Sequence, residues 1–310
     1  MPTILTLGFK KDFHKSFLNL KKGKKMSIEM LKKESNPFKL FNLIILAIFI
    51  YIVSQSWYDT EMSFTGLLQG WDSMVSYIQG NPEIEGSSYF PPVFNKDDVV
   101  TYFWAMLETV QMAIIALLLS VIIAVPLSYI TSRNILEILI PGKTWVHTTL
   151  KKSLYMFGTT IANIFRSVNE LVWALIFVSA VGLGPMAGIL ALGIHTAGVL
   201  SKLLSEGNEA IDPGPVEALT NSGAGFVKIL AYAVVPQTMP HFISMVLYRF
   251  ESDVRSASIL GFVGAGGIGF YLFDKLRGFE NGHVCTILIF IIFTVWALDN
   301  ISALIRKRFI

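Results

Sequence analysis

The chain has little charge and almost no cysteine. Only 15% of its 310 residues are charged, while 53% are hydrophobic and the mean hydropathy is +0.57. This composition is too apolar for a soluble domain of that length. The single Cys285 excludes a disulfide framework and argues against a cysteine-based zinc site. The histidines have no metal-ligand spacing, so no metal site is expected. These absences favour an integral membrane protein.

Catalytic motifs are also missing from the sequence. No Walker-type phosphate loop occurs, and no nucleophile, base and orienting group converge, so we expect no enzymatic activity and no cofactor. Residues 264–269 do match the GxGxxG pattern, but the acid that a dinucleotide site needs about 20 residues later is absent. We interpret these glycines as an elbow between two membrane helices. The candidate hinge residues are Gly264, Gly266, Gly267 and Gly269.

Long apolar stretches predict six membrane helices, because about 20 apolar residues cross about 30 Å of hydrocarbon. The predicted spans are residues 40–57, residues 109–132 with an extension past Glu108, two spans within 171–201, residues 229–260 and residues 283–304. The two middle spans meet at a turn from Gly182 to Pro185. The predicted fold is therefore an all-α integral membrane fold, with a five-helix core in residues 99–304 and an extra N-terminal span.

The distribution of lysine and arginine predicts the orientation, because these residues are enriched in cytoplasmic loops. The first 39 residues hold ten lysines against three acids, whereas residues 59–98 hold seven acids and one lysine. We expect both termini in the cytoplasm, with residues 1–39 as a tail, 58–98 as an external segment and 305–310 as a basic end. The tail is interpreted as an anchor on anionic lipid and not as a nucleic-acid site. No signal peptide is evident, so the first span is expected to be retained.

A short polar segment, residues 211–236, interrupts the apolar pattern on the predicted cytoplasmic side. Asp212 followed by Pro213 is typical of a helix start, and Gly223 permits a sharp change of direction. A second helical stretch follows, with Phe226 on its apolar face, and Pro236 is expected to stop it and begin the next span. Two short helices at an angle would form a rigid projection suited to a soluble partner.

These residues resemble the signature loop of permease subunits of binding-protein-dependent ABC importers. The loop motif consists of Glu217-Ala218-Leu219, Gly223 and Val235-Pro236. Residues 163–168 and 263–269 are similar to methionine-importer permeases, and residues 166–178, 195–199, 210–217 and 250–255 look most like phosphonate permeases. The motifs are specific as a set and cover roughly residues 99–304. Asn169 stands where the family usually has proline, which would loosen a kink there.

The resemblance implies partners and a location. The loop would be a coupling helix in a cleft of a cytoplasmic ATPase, contacted through Glu217, Ala218, Leu219, Gly223, Phe226 and Pro236. The permease would form a homodimer in the bacterial inner membrane, with two ATPase subunits inside and a substrate-binding protein outside. ATP would be hydrolysed by those separate subunits.

Charged residues inside the fifth predicted span need an explanation, since each costs about 2.5–3.5 kcal/mol at mid-bilayer on insertion scales. Arg249 and Asp253 are four residues apart, as are Glu251 and Arg255. On a helix this spacing predicts two ion pairs on roughly opposite faces, so the helix must be surrounded by protein or water. The pairs are either packing contacts between helices or subunits, or part of a translocation pathway in which an arginine contacts an anion weakly and transiently.

Two further residues are candidates for the pathway. Arg166 is expected at the cytoplasmic end of the third span, where it either snorkels to the headgroups or faces the pathway. His195 lies beside small residues spaced four apart, Gly193, Ala197 and Ser201, a pattern suited to close helix packing. We therefore favour a hydrogen-bonded packing role for His195 over a ligand role.

The expected function is that of a permease subunit that moves phosphonate or a related oxyanion and couples to an ATPase through residues 217–236. A permease for another solute, such as an amino acid, is the first alternative. A membrane anchor that only positions a soluble partner is the second, and it leaves the paired charges unexplained. An intramembrane enzyme is the third, and no catalytic cluster supports it.

Overall fold

The computed structural model describes residues 40–80, 86–142 and 144–309, so the predicted Lys-rich tail lies outside the described residues. The chain divides into two compact units after Asp72. The first unit contains α1 (Leu40–Asp59) and α2 (Phe64–Gln69), and α3 (Trp71–Gln79) crosses the boundary. The described residues contain no strand, and the all-helical prediction is confirmed.

The second unit consists of helices joined by short turns. Its elements are α4 (Lys96–Ile130), α5 (Arg133–Leu139), α6 (Trp145–Ser167), α7 (Glu170–Val181), α8 (Pro185–Glu209), α9 (Pro213–Asn221), α10 (Phe226–Ile229), a π-helical turn (Leu230–Val234), α11 (Val235–Leu260), a 3₁₀ turn (Gly261–Val263), α12 (Ile268–Arg277) and α13 (Asn281–Phe309). Five helical segments of the described chain are long and apolar enough to cross a membrane, and the count is six if the bent pair α6 and α7 forms one span.

The predicted extent of the third span is wrong. α7 has only 12 residues, about 18 Å at 1.5 Å per residue, which is too short for the hydrocarbon core. The structure instead joins α7 to the 23-residue α6 at a bend of 89°. The pattern concealed α6 because Lys151, Lys152 and Arg166 interrupt its apolar residues. The turn predicted around Gly182 to Pro185 is present, between α7 and α8.

α8 is the most buried of the candidate spans and contacts α4, α6, α7 and α11. Its small residues allow this close approach, as predicted. A Cβ added to Gly193 would lie 2.7 Å from Cδ2 of Leu119 on α4, and one added to Gly198 would lie 2.8 Å from the carbonyl oxygen of Ala162 on α6. α4 therefore packs against Gly193 through the Leu119 side chain, and α6 packs against Gly198 at backbone distance.

Pro236 does not stop a helix, contrary to the prediction. The helical path continues from Phe226 through the π-helical turn into α11. The N–H of Val235 donates to the carbonyl of Leu230, five residues earlier. Proline has no N–H, and its ring clashes with the carbonyl four residues before it in an α-helix. The wider π turn relieves that conflict and lets the chain continue.

The glycine segment 264–269 is a closely packed turn. Gly264, Gly266 and Gly267 have φ of +83°, +81° and +71°, which L-residues rarely adopt. The Gly184 N–H donates to the Gly264 carbonyl at 2.9 Å, so this turn is tied to the α7–α8 turn. α12 follows, a helix that the apolar pattern did not predict. The hinge role of these glycines stays a prediction.

Candidate functional site

The bend between α6 and α7 is stabilised by side chains that cap both helix ends. The Asn169 side chain accepts from the Leu171 N–H at 2.9 Å and so caps the start of α7. At the end of α6, His195 Nδ1 donates to the carbonyl of Val168 at 2.9 Å and the Trp173 indole N–H donates to the carbonyl of Phe165 at 3.2 Å. Helix ends leave backbone groups unpaired, and these contacts satisfy three of them. His195 is thus hydrogen-bonded to the end of a neighbouring helix, and its packing role stays a prediction.

A buried ion pair lies behind the bend, where α11 packs against α8. The Arg249 Nη2 donates to Asp253 Oδ1 at 3.0 Å, so the first predicted pair is confirmed. Thr196 of α8 completes a triangle, because its hydroxyl donates to Asp253 Oδ1 at 2.7 Å and accepts from Arg249 Nη2 at 3.0 Å. The Asp253 side chain is fully buried, and that of Arg249 is 12% exposed. Most buried charges need such compensation.

Glu170 connects this triangle to the bend. Its Oε1 accepts from the hydroxyl of Ser256 on α11 at 2.8 Å, and its Oε2 lies 3.5 Å from His195 Nε2. We define the bend cluster as the polar side chains gathered at this place from α7, α8 and α11. Its members are Glu170, His195, Thr196, Arg249, Asp253 and Ser256. Within the described residues, Arg249 Nε and Asp253 Oδ2 are buried and have no hydrogen-bond partner.

The second predicted ion pair is wrong. Glu251 pairs with Arg306, and Arg255 pairs with Asp299 at 3.3 Å, both across the interface between α11 and α13. The predicted opposite faces are nevertheless present, because one face of α11 meets Thr196 of α8 and the other meets α13. Glu251 and Arg255 could reach each other by spacing alone, but α13 brings an opposite charge to each of them. These two pairs are contacts between helices.

The structure places Arg166 at the bend. It lies in the last turn of α6 against Gly198, near the middle of α8, and its Nε donates to Asn163 Oδ1 at 3.0 Å. The side chain is exposed beside the bend, on the same short segment as the exposed Asn169. The bend therefore presents a guanidinium and an amide next to the bend cluster.

The polar segment 211–236 forms a helical hairpin that is well defined by local hydrogen bonds. The Asp212 side chain caps α9 by accepting from the Gly214 N–H at 3.0 Å, as predicted. At the other end Gly223 has φ of +79°, and the N–H groups of Gly223 and Ala224 donate to the carbonyls of Thr220 and Leu219. This pattern is a Schellman motif, which requires a left-handed residue at Gly223. Glu217 and Ala218 are exposed, whereas Leu219 and Phe226 are half-buried.

A side chain that the sequence analysis missed ties the hairpin to α11. Gln237 Oε1 accepts from the Asp212 N–H at 2.9 Å, and its Nε2 donates to the carbonyls of Ala233 at 2.8 Å and Asp212 at 3.5 Å. The start of α9 and the start of α11 are thus joined by one amide. Glutamine beside proline carries no motif, so sequence alone offered no signal for Gln237. Thr196 and Ser256 were also missed as members of the cluster, because their partners come from other helices.

Apolar helices of membrane length, a broken span and buried paired charges define a polytopic membrane protein with a polar interior. A domain model described as binding-protein-dependent transport system inner membrane component matches residues 144–309. The chain belongs to this family, and it is a permease subunit of an ABC importer.

Known relatives agree with this assignment. The chain is 34% identical over 255 residues to the putative phosphite transport system permease protein HtxC of Stutzerimonas stutzeri, covering 82% of each chain. It is 55% identical over 122 residues to the putative cryptic phosphonate transport system permease protein PhnE2 of Escherichia coli, covering 39% of this chain and all of the relative. The inward-facing MetNI methionine ABC transporter has a similar fold, with a TM-score of 0.58 at 21% identity over 70% of this chain and all of the other.

Proposed function

We propose that this chain moves phosphonate, phosphite or a related oxyanion across the inner membrane and couples to a cytoplasmic ATPase through Glu217–Pro236. The names of the relatives, which refer to phosphite and phosphonate transport, support the substrate class. The Arg249 guanidinium also supports this substrate class, because a planar guanidinium can donate two parallel hydrogen bonds to the oxygens of such anions. Asp253 already neutralises much of this charge, so contact with a passing anion is weak and transient.

The observation that carries the proposal is the continuous connection from the hairpin to the bend cluster. Gln237 joins α9 to the start of α11, and α11 carries Arg249 and Asp253 further along the same helix. A force on the exposed side of α9, where Glu217 lies, would therefore be transmitted through α11 to the buried charges. ATP-driven closure of two ATPase subunits would supply that push, and the bend would open alternately to each side.

The proposed assembly contains two permease copies, two ATPase subunits and an external substrate-binding protein, with both permease termini in the cytoplasm. We propose a homodimer for the membrane part. The mass of the intact complex tests this directly: two copies of this chain are expected, and one copy beside a different permease would contradict it.

The coupling role is tested with Gly223→Val in proteoliposomes that contain the ATPase and the binding protein. A β-branched residue cannot hold the left-handed conformation without a cost of about 1–2 kcal/mol, so the hairpin is distorted and uptake of labelled phosphite or methylphosphonate is lost. Gly225→Ala is the matched control, because Gly225 has φ of −73° and open space around a new Cβ. Intact uptake by an inserted Gly223→Val protein would refute the coupling role.

The substrate class is tested in the same vesicles by competition. Unlabelled phosphite or phosphonate is expected to reduce the uptake, and methionine is expected to leave it unchanged. Competition by an amino acid and none by the oxyanions would favour the alternative of a different solute.

A further inference from the structure

A cavity of about 370 Å³ lies between α5 and α6, away from the bend cluster. Three cationic side chains line it, those of Arg133, Lys151 and Lys152. Glu137 is the one carboxylate among its lining residues, so the balance of charge is positive. The rest of the wall is largely apolar, formed by Leu136, Tyr155 and Met156. This combination of cations and apolar surface differs from the interior of the bundle.

Two of the three cations around this cavity are held by contacts with groups other than carboxylates. The Arg133 guanidinium lies 5.0 Å above the ring centre of Tyr155, and Lys151 Nζ donates to the carbonyl of Gly142 at 3.2 Å. Within the described ranges no carboxylate forms an ion pair with Arg133, Lys151 or Lys152. By contrast, the exposed Lys202 on α8 pairs with Glu206 at 3.2 Å. The cavity therefore offers unneutralised positive charge.

The residues beside the cavity have a composition that is typical of a membrane interface. Trp145 begins α6 and is 79% exposed, as is typical of tryptophan at the headgroup level. Lys151, Lys152 and Tyr155 follow within the next three turns. Leu150, Met156 and Phe157 of the same stretch are exposed apolar residues. Headgroup-binding cations thus stand directly beside a surface suited to acyl chains.

We propose that this cavity binds the phosphate headgroup of an anionic phospholipid of the cytoplasmic leaflet. Basic pockets between membrane helices on that side suit anionic headgroups, and the apolar wall favours a lipid over free phosphate. The proposal rests on the orientation given under the proposed function. Its test measures lipid binding and not transport, so failure of one is distinguishable from failure of the other.

The test is native mass spectrometry of the purified full chain titrated with phosphatidylglycerol or phosphatidylcholine. We expect selective retention of phosphatidylglycerol. Each cation near the surface contributes about 1 kcal/mol to the binding of an anionic lipid. Lys152→Gln should therefore weaken retention about five-fold. The triple change Arg133→Gln, Lys151→Gln, Lys152→Gln should weaken it about 100-fold. Lys152→Arg, which keeps the charge, should restore it. Lys202→Gln is the matched control and should have no effect, and unchanged thermal unfolding confirms that the variants fold.

Three outcomes would overturn the proposal. Equal retention of the two lipids would show that charge does not select the occupant. Displacement of phosphatidylglycerol by inorganic phosphate or glycerophosphate at equal concentration would make the cavity a site for free anions. Release of the lipid when the ATPase subunit is added would assign the cavity to an acidic protein surface.

Discussion

At the scale of single residues, the fully buried Asp253 governs the bend cluster. Its Oδ1 accepts from both Arg249 and Thr196, so one carboxylate oxygen holds side chains of α8 and α11 together. Removing one partner of a buried ion pair leaves the other charge uncompensated. Replacing both partners by apolar residues leaves an apolar contact, and the loss of stability is then much smaller. This asymmetry allows stability and transport to be separated by experiment.

We expect Arg249→Met alone to destabilise the protein by about 3–5 kcal/mol, because Asp253 is left buried and unpaired. The double variant Arg249→Met, Asp253→Leu should recover most of that stability, as measured by thermal unfolding in detergent. Oxyanion uptake should stay low in both, because neither has the guanidinium. Full uptake by the double variant would show that Arg249 serves packing alone.

The residue scale also shows what spacing can and cannot predict. The four-residue spacing identified the Arg249–Asp253 pair and placed Glu251 on the opposite face of α11. It could not show that Arg306 and Asp299 would meet that face, since their approach depends on how α13 packs. Local geometry limits the possible partners of a charge, and tertiary contacts select among them.

At the scale of elements, the Gln237 side chain of α11 joins that helix to the hairpin by bonding to backbone groups of Asp212 and Ala233. The three contacts are each worth about 0.5–1.5 kcal/mol. The two contacts with Asp212 join helix starts that are 25 residues apart in the chain, and the third contact, with Ala233, is local. If this amide were removed, a partner bound to α9 would transmit less of its movement to α11.

We therefore expect a transporter assembled with Gln237→Leu to hydrolyse ATP through its ATPase subunits while moving less solute per ATP. Gln237→Glu is the matched variant, since it keeps an acceptor for the Asp212 N–H and should retain more coupling than leucine. Parallel measurement of ATP hydrolysis and uptake in proteoliposomes gives the ratio. An unchanged ratio in Gln237→Leu would mean that the connection does not transmit force.

The hairpin was the element most accessible from sequence, and the bent span the least. The residue types predict the local backbone roles of Asp212, Pro213 and Gly223. α6 carries lysines and threonines among its apolar residues, so it lacks an uncharged run. The 89° bend depends on Asn169, Trp173 and His195 capping helix ends, and His195 comes from a different helix.

At the scale of the whole molecule, the all-helical fold and five of the predicted spans follow from apolar length alone. The orientation of the chain in the membrane is predicted from charge counts only. This orientation decides whether the hairpin can reach a cytoplasmic partner. The single Cys285 makes this question accessible, because Cys285→Ser provides a cysteine-free background.

In that background we expect Ser73→Cys to react with a membrane-impermeant maleimide in intact spheroplasts. Ser222→Cys should react only after the membrane is permeabilised, because the proposed orientation places the hairpin in the cytoplasm. The cysteine-free chain controls for labelling of other groups. The opposite pattern would invert the topology and remove the ATPase from reach.

The π-helical turn from Leu230 to Val234 has a consequence for the direction in which buried charges point. A π turn is equivalent to one inserted residue, and each α-helical residue advances the azimuth by about 100°. Without that insertion, every side chain downstream would rotate by about this angle relative to the hairpin. Arg249 and Asp253 would then point away from Thr196. The π turn therefore sets the rotation of α11 that directs its buried charges toward α8.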